Sequence, residues 1–445
     1  MLFNNNTISI SFSVNQFQCN NVEIWEDEDG REEQVLVEME STFSTEFIRC
    51  PYCGGEVNGN GKDIALLRDM PIWSGIKQEV KVEYHRYRCK KCRRVFTEDI
   101  DLKHPGVRTT ERAAQWVKGF LRQGLSVKAV SEITGLHWNT VRKLHEEVIQ
   151  DKLEEREKHL KDIGYKPVLL AVDEFAIHKG HTYATSVLDL QTGDVLWVGK
   201  GRTIADFQHF FEDIDPDYLS DVEAVAMDMN ASYSKVVRDN LPKATIVYDR
   251  YHMQAQYGKD VLGAVRLYEA RQHQKEAKEI LGDITPETTS VEKAAKKAEA
   301  KAQSKEYSKL KKARWLLLKN SSNLTETARN SLNDILASHE DISVCYAMKE
   351  EMCDLFNLRD PKVAKERWEK WFKAAEESNI PPLMKFAKKK EERIDGLVSH
   401  ATYPISTGKL EGLNNKIKVA KRIGYGYRND DYFFSLIRYL SIPAL

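Results

Sequence analysis

Long apolar runs are absent from this chain of 445 residues. A helix that crosses a membrane needs about 20 consecutive apolar residues, and no stretch approaches that length. The first residues, Met-Leu-Phe-Asn-Asn-Asn, also lack the basic start and apolar centre of a signal peptide. These absences exclude a membrane-spanning protein and predict a soluble, intracellular chain with no membrane partner.

Cysteine is scarce, with seven in the whole chain. Four of them form two Cys-x-x-Cys pairs, and the remaining three, Cys19, Cys345 and Cys353, are scattered. This distribution argues against a disulfide framework and favours metal binding in a reducing compartment.

Net charge is nearly absent, at −1, but the balance hides segments of opposite sign. Residues 21–40 carry nine Asp or Glu against one Arg, whereas Lys77–Arg94 carries eight basic residues against two Glu. Because local fields govern what a surface attracts, the neutral total does not exclude a nucleic-acid partner. The length and an apolar content of 41% indicate two to four domains with real cores.

Two cysteine pairs, Cys50-Pro51-Tyr52-Cys53 and Cys89-Lys90-Lys91-Cys92, have the spacing of zinc knuckles. Two such pairs complete a closed tetrahedral site, which leaves no open position for catalysis. The 35 residues between them exceed the usual spacing, but Val80–Arg88 alternates like a strand and could extend a β-ribbon. We predict one structural Zn²⁺; two unrelated cysteine pairs are the alternative. The predicted ligands are Cys50, Cys53, Cys89 and Cys92.

Basic residues crowd around the second cysteine pair and alternate with Tyr84, Tyr87 and Phe96. This mixture suits contact with phosphate groups, and a merely solvated strand face is the alternative. The DNA-binding residues predicted here are Arg86, Arg88, Lys90, Lys91, Arg93 and Arg94.

Apolar spacing becomes helical between Thr109 and Gln150. After a first amphipathic helix, Ser126 can cap a short helix that ends at Gly135, and Trp138–Val148 forms the next. This order is typical of a helix-turn-helix, although a helical linker without DNA contacts is the alternative. Its inward residues would be Val130, Ile133, Leu136, Val141 and Leu144. The residues presented to a major groove would be His137, Asn139, Thr140, Arg142 and Lys143.

Three short apolar runs, Pro167–Asp173, Val222–Asp228 and Ala244–Asp249, each end on an aspartate. Such runs are typical of buried strands. A hairpin follows the first run, and helices at about 203–214 and 232–240 precede the second and third strand ends. Three antiparallel strands followed by helix, strand, helix and strand are the order of a ribonuclease-H-like α/β fold. In that fold the first and fourth strands end side by side.

Carboxylates gathered at one sheet edge repel each other unless a cation lies between them. A helix near the C-terminus could be capped by Ser406 or Thr407 and would turn Leu410, Leu413, Ile417 and Ala420 to the core. Its Glu411 is the single acid among six basic residues between Lys409 and Arg428. It is either a salt-bridged bystander or a third ligand. Asp173, Asp228 and Glu411 would suit two Mg²⁺ or Mn²⁺ ions in a phosphoryl-transfer centre.

Residues 255–400 are helical and rich in charge, which indicates an all-helical insertion. Within it, Val291–Lys312 is expected to form a solvated helical hairpin and Trp315–Leu318 an apolar stripe. Trp368 and Trp371 could stack on an unpaired base or, more simply, pack in a core.

The expected organisation is therefore multidomain α/β. Its segments are an acidic, irregular or β-rich stretch (1–47), a zinc ribbon (48–100), a helix-turn-helix (105–150), a helical linker (151–165), a ribonuclease-H-like catalytic domain (166–254 and 401–445) and the all-helical insertion (255–400).

Together these features resemble the DDE transposases of the ISL3 family of bacterial insertion sequences. The resemblance covers the chain from about residue 48 onward. Besides the cysteine pairs and the helix-turn-helix, it is carried by Ala171-Val172-Asp173-Glu174-Phe175-Ala176, Met227-Asp228-Met229, Tyr248-Asp249-Arg250-Tyr251-His252 and Glu411-Gly412-Leu413-Asn414-Asn415-Lys416.

The resemblance implies binding of terminal inverted repeats, followed by metal-dependent DNA cleavage and strand transfer. It implies Asp173, Asp228 and Glu411 as the catalytic acids, supported by Asp249 and His252. Asn415 lies four positions after Glu411 on the same helix face and is predicted to support them as well. Further DNA contacts would come from Lys416, Lys418, Lys421 and Arg422. Double-stranded DNA would be the partner of a homodimer or larger assembly in the bacterial cytoplasm, associated with the nucleoid, with no small-molecule substrate. A non-catalytic, transposase-derived DNA-binding regulator is the alternative, and a nuclease that cuts without joining is a third.

Overall fold

The computed structural model describes residues 17–26, 32–42, 46, 48–71, 76–178, 182–405, 408–424 and 426–443. The chain divides into two compact units, residues 1–158 with 423–425, and residues 159–422 with 426–445. Within the described ranges, none of the helices has both the length and the apolar character that spanning a membrane requires.

The first unit contains a five-stranded sheet. Its strands are β1 (Phe17–Glu26), β2 (Glu32–Ser41), β3 (Val57–Arg68), β4 (Lys77–Cys89) and β5 (Val95–Thr97). Their order is β1-β2-β4-β3, with β5 on the end of β4, and β2 runs parallel to β4. In β2, Val35, Val37 and Met39 are buried while their neighbours are half-buried, which is the period of a sheet with one face on a core. The acidic stretch expected at 1–47 and the cysteine-bearing strands therefore share one sheet, and residues 1–16 lie outside the described part.

Three helices follow in the same unit: α1 (Glu111–Arg122), α2 (Val127–Thr134) and α3 (Trp138–Asp162). Thr110 and Ser126 cap the first two, and Gly135, with φ +63°, ends α2. Helix α3 extends 14 residues beyond the predicted end at Val148, through most of the expected linker.

One inward residue of this helical region was predicted wrongly. Ile133 is 54% exposed, whereas Val130 and Thr134 are buried. Positions four apart share one side of a helix, and Ile133 is about 100° away from Thr134. The other four predicted core residues, Val130, Leu136, Val141 and Leu144, are buried.

The second unit is built on another five-stranded sheet. Its strands are β6 (Leu169–His178), β7 (Thr182–Asp189), β8 (Val195–Lys200), β9 (Ala224–Met227) and β10 (Thr245–Tyr248). The order is β10-β9-β6-β7-β8; the pairs β6–β7 and β7–β8 are antiparallel, and the pairs β6–β9 and β9–β10 are parallel. Helices α4 (Ile204–Asp213) and α5 (Ala231–Asn240) precede β9 and β10. This is the strand and helix order expected from the sequence.

Both faces of this sheet are covered, because β6 sends alternate side chains to two cores. Leu170 and Val172 belong to one core with α4 and α5, whereas Ala171, Phe175 and Ile177 belong to the other. The second core is completed by two C-terminal helices, α15 (Gly408–Ile423) and α16 (Asp430–Ser441). By the same alternation, Asp173 lies on the α15 side of the sheet and Glu174 on the opposite side.

Between β10 and α15 the described residues form helices and connections without a strand. The helices are α6 (Arg250–Tyr257), α7 (Gly263–Gly282), α8 (Ser290–Lys312), α9 (Arg314–Leu318), α10 (Glu326–Ser338), α11 (Glu340–Leu355), α12 (Pro361–Glu377), α13 (Pro381–Glu391) and α14 (Ile394–Val398). A π-helical turn, Gly258–Leu262, joins α6 to α7, and short 3₁₀ turns cover Ser321–Asn323 and Ser399–Ala401.

Two expectations for this helical region are corrected. The run Val291–Lys312 is a single helix, α8, whose hairpin partner is the preceding helix α7. Trp315 does not join the apolar stripe expected at 315–318, because its side chain is 68% exposed while Leu317 is buried. Trp368 and Trp371 are fully buried and pack against Phe372, so both serve the core.

Candidate functional site

The four cysteines of the two Cys-x-x-Cys pairs converge in the first unit. Each pair lies in a tight turn: the N–H of Gly54 donates to the carbonyl of Cys50, and the N–H of Arg93 donates to the carbonyl of Cys89. All four Sγ atoms lie within 4.8 Å of one another, with 3.6 Å between Cys50 and Cys92 and 3.5 Å between Cys53 and Cys89. A tetrahedron with 2.3 Å metal–sulfur bonds has edges of about 3.8 Å, so the cluster fits zinc binding.

Hydrogen bonding prepares one of these thiols for metal binding. The backbone N–H of Cys92 donates to the sulfur of Cys89 at 3.3 Å and lowers the pKa of Cys89 to about 6. In the absence of a cation, neighbouring thiols resist ionising together. The pKa of Cys92 accordingly rises to about 11, where burial and the three nearby sulfurs outweigh a hydrogen bond from the N–H of Arg94. A divalent cation would remove that repulsion.

Two of the predicted acids lie where the pairing of β6 with β9 ends in the second unit. Asp228 directly follows β9, as expected, whereas Asp173 lies inside β6, which continues to His178, five residues beyond the expected strand end, because it still pairs with β7. Val172 of β6 pairs with Met227 of β9 in parallel register, so Asp173 and Asp228 come next on neighbouring strands. Asp173 is half-buried and Asp228 is exposed. Each carboxylate accepts a hydrogen bond from the N–H of the next residue, at 2.8 Å for Asp173 and 2.6 Å for Asp228.

Helix α15 brings an amide to Asp173. The helix is held on the sheet by Leu410, Leu413, Ile417 and Ala420, all buried as predicted. Nδ2 of Asn414 donates to Oδ2 of Asp173 at 2.6 Å. Asn415, the residue expected to support the site, is exposed, and the neighbouring asparagine makes the contact instead. The expected caps of this helix, Ser406 and Thr407, lie outside the described residues.

Glu411 is exposed and lies three positions before Asn414 on α15. Residues three apart on a helix are neighbours, with Cβ atoms about 5–6 Å apart, so Glu411 stands one turn from the contact with Asp173. The three carboxylates are not drawn together tightly, however. Within the described residues, the four cysteines alone form a group of three or more metal-ligating atoms within 4.8 Å of one another.

The opposite side of β6 carries a polar network that the sequence patterns did not single out. Nδ2 of Asn230 donates to Oε1 of Glu174 at 3.2 Å, and the side chain of Asn230 also caps α5. The hydroxyl of Tyr233 lies 2.6 Å from that of Thr185, and burial raises the pKa of Tyr233. This network ties the loop after Asp228 to the middle strands of the sheet.

Two cations from the helical region hold the residue that follows Asp228. Lys390 of α13 is 2% exposed, and its Nζ lies 2.6 Å from Oε1 of Gln256 and 3.0 Å from Sδ of Met229. Burial lowers the pKa of Lys390 to about 8. Arg393 donates to the carbonyl of Met229. Nothing in the sequence distinguishes Lys390 from the adjacent, exposed Lys388 and Lys389.

The predicted supporting pair Asp249 and His252 begins α6. The N–H of Asp249 donates to the carbonyl of Met227 at 2.8 Å, which fixes Asp249 beside the strand end that leads to Asp228. Its carboxylate accepts from the N–H of Tyr251, and Nδ1 of His252 lies 3.3 Å from Oδ2 of Asp249. His178 pairs with Asp430 at 3.1 Å, and His181 lies outside the described residues.

The predicted DNA-contacting residues differ in their exposure and in whether their side chains already have a partner within the protein. Around the second cysteine pair all six basic residues are exposed, although Lys90 pairs with Glu56 at 2.8 Å. On α15, Lys418 and Arg422 are exposed, whereas Lys416 and Lys421 donate to the carbonyls of Leu440 and Ala176.

In the helix-turn-helix region, His137, Asn139 and Lys143 are exposed, while Thr140 and Arg142 are half-buried. Lys143 already donates to the carbonyl of Gly106 at 2.9 Å, and Arg142 pairs with Glu146 at 2.7 Å. His137 and Asn139 are therefore the most available of the five for contact with a partner.

Comparison with known proteins decides the family. A family model for ISL3-type DDE transposases, described as "Transposase", matches residues 170–437, more than half of the chain. The chain belongs to this family. The matched region begins in β6 and ends in α16, so it contains Asp173, Asp228, Glu411 and the helical region between them.

Curated relatives extend the similarity of this transposase to nearly its whole length. It is 31% identical over 417 residues to the "Transposase for insertion sequence element IS1001" of Bordetella parapertussis, covering 93% of each chain. It is 24% identical over 423 residues to the "Transposase for insertion sequence element IS1557" of Mycobacterium tuberculosis strain H37Rv, covering 93% of this chain and 90% of the relative. The similarity to these transposases therefore extends beyond the region that the family model matches and includes most of the first unit.

Proposed function

We propose that this transposase cleaves the DNA ends of its insertion sequence and joins them to target DNA at a site formed by Asp173, Asp228 and Glu411. The observation that carries the proposal is the parallel register of Val172 with Met227, which sets Asp173 beside Asp228. The contact of Asn414 with Asp173 adds α15, the helix of Glu411, to the same sheet edge.

Two Mg²⁺ or Mn²⁺ ions would be held by these three carboxylates, because hard cations prefer oxygen ligands. When bound, such ions activate a water or a 3′-hydroxyl and stabilise the leaving oxygen. The protein's own part is positioning. The N–H groups of Glu174 and Met229 orient the two aspartates, and Lys390 and Arg393 hold the loop after Asp228. Closing Glu411 onto the aspartates would complete the site.

The domain around this site is proposed to be ribonuclease-H-like, with the helical region as its insertion. The support is the sheet order β8-β7-β6-β9-β10, with three antiparallel strands followed by two parallel ones. Asp249 and His252 would support the site from the third strand end, where Asp249 is bonded to Met227.

The first unit is proposed to recognise terminal inverted repeats in double-stranded DNA. One structural Zn²⁺ would hold the cysteine turns. The predicted DNA contacts lie beside it, Arg86 and Arg88 at the end of β4 and Lys90, Lys91, Arg93 and Arg94 in and just after the second turn. In the helix-turn-helix, His137 and Asn139 would read base edges, with Thr140, Arg142 and Lys143 beside them. Lys416, Lys418, Lys421 and Arg422 would contact DNA nearer the acids. Since two ends must be paired, we propose a homodimer or larger assembly acting on the bacterial nucleoid in the cytoplasm.

The test is a cleavage and strand-transfer assay on the element's own end DNA with Mg²⁺. Asp228→Asn keeps the size of the side chain but removes the charge, so it should abolish both reactions while end binding persists. Asp239→Asn, an exposed acid on α5, is the matched control and should leave both reactions intact. Undiminished cleavage by Asp228→Asn would remove Asp228 from the site. A wild-type protein that binds ends without cutting them would favour a DNA-binding regulator.

A further inference from the structure

Helix α8 segregates its charges along its whole length. It carries eight lysines and three glutamates. At about 100° of rotation per residue, the glutamates, Glu292, Glu299 and Glu306, cluster on one side of the helix. Six of the lysines fall in an opposing sector about 120° wide that contains no acid. These six, here called the lysine stripe, are Lys293, Lys297, Lys301, Lys305, Lys311 and Lys312.

The orientation of α8 turns this stripe to solvent. Ala300 and Leu310 are buried on the inner side, where Oε1 of Gln303 lies 2.6 Å from Nδ1 of His273. Glu306 also faces inward, toward His339 at 3.3 Å. All six lysines of the stripe are exposed. In the part of the chain that the structure describes, none of them lies within 4 Å of a carboxylate, in contrast to Lys309, which pairs with Glu306. Lys311 donates to the hydroxyl of Tyr307 at 3.1 Å, which leaves its charge without a counter-ion.

An exposed aromatic side chain follows the stripe. Trp315 lies three residues beyond Lys312 and is 68% exposed, with the guanidinium of Arg314 at 5.1 Å over its ring. Lysines four positions apart on a helix, such as Lys297 and Lys301, repel each other weakly. An anionic partner bound to the lysine stripe would reduce this repulsion.

We propose that the lysine stripe is a further DNA-contacting surface, separate from those proposed above, which binds the phosphate backbone of a duplex independently of base sequence. The inference rests on the proposed function in taking DNA as the partner. From Lys293 to Lys312 the helix rises about 28 Å, the length of about eight base pairs. Uniform positive charge with a single aromatic residue suits a phosphate backbone, whereas a protein interface would need a central apolar anchor cluster.

The experiment neutralises three central lysines in the full-length protein. The variant Lys297→Gln/Lys301→Gln/Lys305→Gln removes charge at little cost in helix propensity. The first control, Lys297→Arg/Lys301→Arg/Lys305→Arg, keeps the charge. The second control, Lys362→Gln/Lys365→Gln/Lys370→Gln, removes three exposed charges from α12, where lysines and glutamates are mixed. Thermal unfolding checks that all variants remain folded.

Dissociation constants are measured over a range of salt concentrations on two duplexes of equal length, one with the terminal repeat and one unrelated. Each phosphate contact contributes about 0.9 to the slope of log affinity against log salt. For the glutamine variant, the magnitude of this slope should therefore fall by about two to three. Its affinity should decrease by the same factor on both duplexes. The arginine variant and the α12 variant should behave as wild type.

A glutamine variant with wild-type slope and affinity would overturn the inference while leaving the proposed function intact. The inference would also be overturned if the protein bound polyglutamate or double-stranded RNA through these lysines more tightly than it binds the two DNA duplexes. Failure of the wild-type protein to prefer the terminal-repeat duplex would instead count against the proposed function, since the stripe contributes no sequence preference.

Discussion

Nδ2 of Asn414 and Oδ2 of Asp173 lie 2.6 Å apart, although 241 positions separate them in the sequence. The contact constrains the rotation of α15 over the sheet, and Glu411 lies one turn earlier on the same helix. A hydrogen bond to a charged group contributes about 1.5–3 kcal/mol, so this pair is a substantial constraint on the site.

Replacing Asn414 tests whether that constraint matters for DNA cleavage. Asn414→Ala should slow cleavage by about tenfold to a hundredfold, the equivalent of one charged hydrogen bond. Asn415→Ala, at the exposed neighbouring position, should have little effect. Single-turnover cleavage rates on pre-bound end DNA provide the measurement, and a larger loss with Asn415→Ala would reverse the assignment.

Lys390 connects the helical region to the loop after Asp228. Lys390→Met should lower the cleavage rate at least tenfold and raise the Mg²⁺ concentration needed for half-maximal rate, because Met229 loses its support. The fold should survive, since an apolar side chain replaces a buried charge whose hydrogen-bond partners among the described residues are the neutral Gln256 and Met229. Lys389→Met, exposed on the same helix, is the control. Equal rates and Mg²⁺ requirements in both variants would assign Lys390 to packing alone.

Acid should weaken the helix-turn-helix region through His145. Burial lowers the pKa of His145 to about 4, below its ordinary value near 6.5. Between pH 6.5 and pH 4, His145 binds a proton in the unfolded chain but stays neutral in the folded chain. The free energy of unfolding therefore decreases as the pH falls through this range, by on the order of 3 kcal/mol. Thermal unfolding of wild type and His145→Gln should therefore differ in pH dependence over this window. His159→Gln, exposed on the same helix, should follow wild type.

The cysteine cluster predicts one tightly held zinc ion per chain. Mass spectrometry of the purified protein should find one equivalent, and Cys53→Ser should lose it together with the heat-absorption peak of the first unit. Cys19→Ser, exposed and outside the cluster, should retain both. Zinc retained at one equivalent in Cys53→Ser would contradict the four-cysteine assignment.

Buried strands and core stripes could be predicted from the sequence because they depend on local periodicity. The end of β6 could not, since pairing with β7 carries the strand to His178, beyond Asp173. The apolar runs before Asp173 and Asp228 indicated adjacent buried strands, and the spacing of Leu410, Leu413 and Ile417 indicated the buried side of α15. Each pattern repeats within a few residues and needs no knowledge of the rest of the fold.

Contacts that depend on tertiary packing were missed. Asn414 and Asn415 are adjacent amides, and the choice between them depends on how α15 is seated on the sheet. Lys390 resembles its two neighbouring lysines until α13 is packed against the Met229 loop. The exposure of Ile133 and Trp315 likewise depends on helix rotation, which apolar character alone does not specify.

The most direct measurement is the anomalous scattering of Mn²⁺ in crystals of the full-length protein bound to its end DNA. Two peaks are expected about 4 Å apart, within about 2.2 Å of carboxylate oxygens from Asp173, Asp228 and Glu411. Peaks that bind the two aspartates while Glu411 points away, or that lie elsewhere in the protein, would contradict the three-carboxylate site.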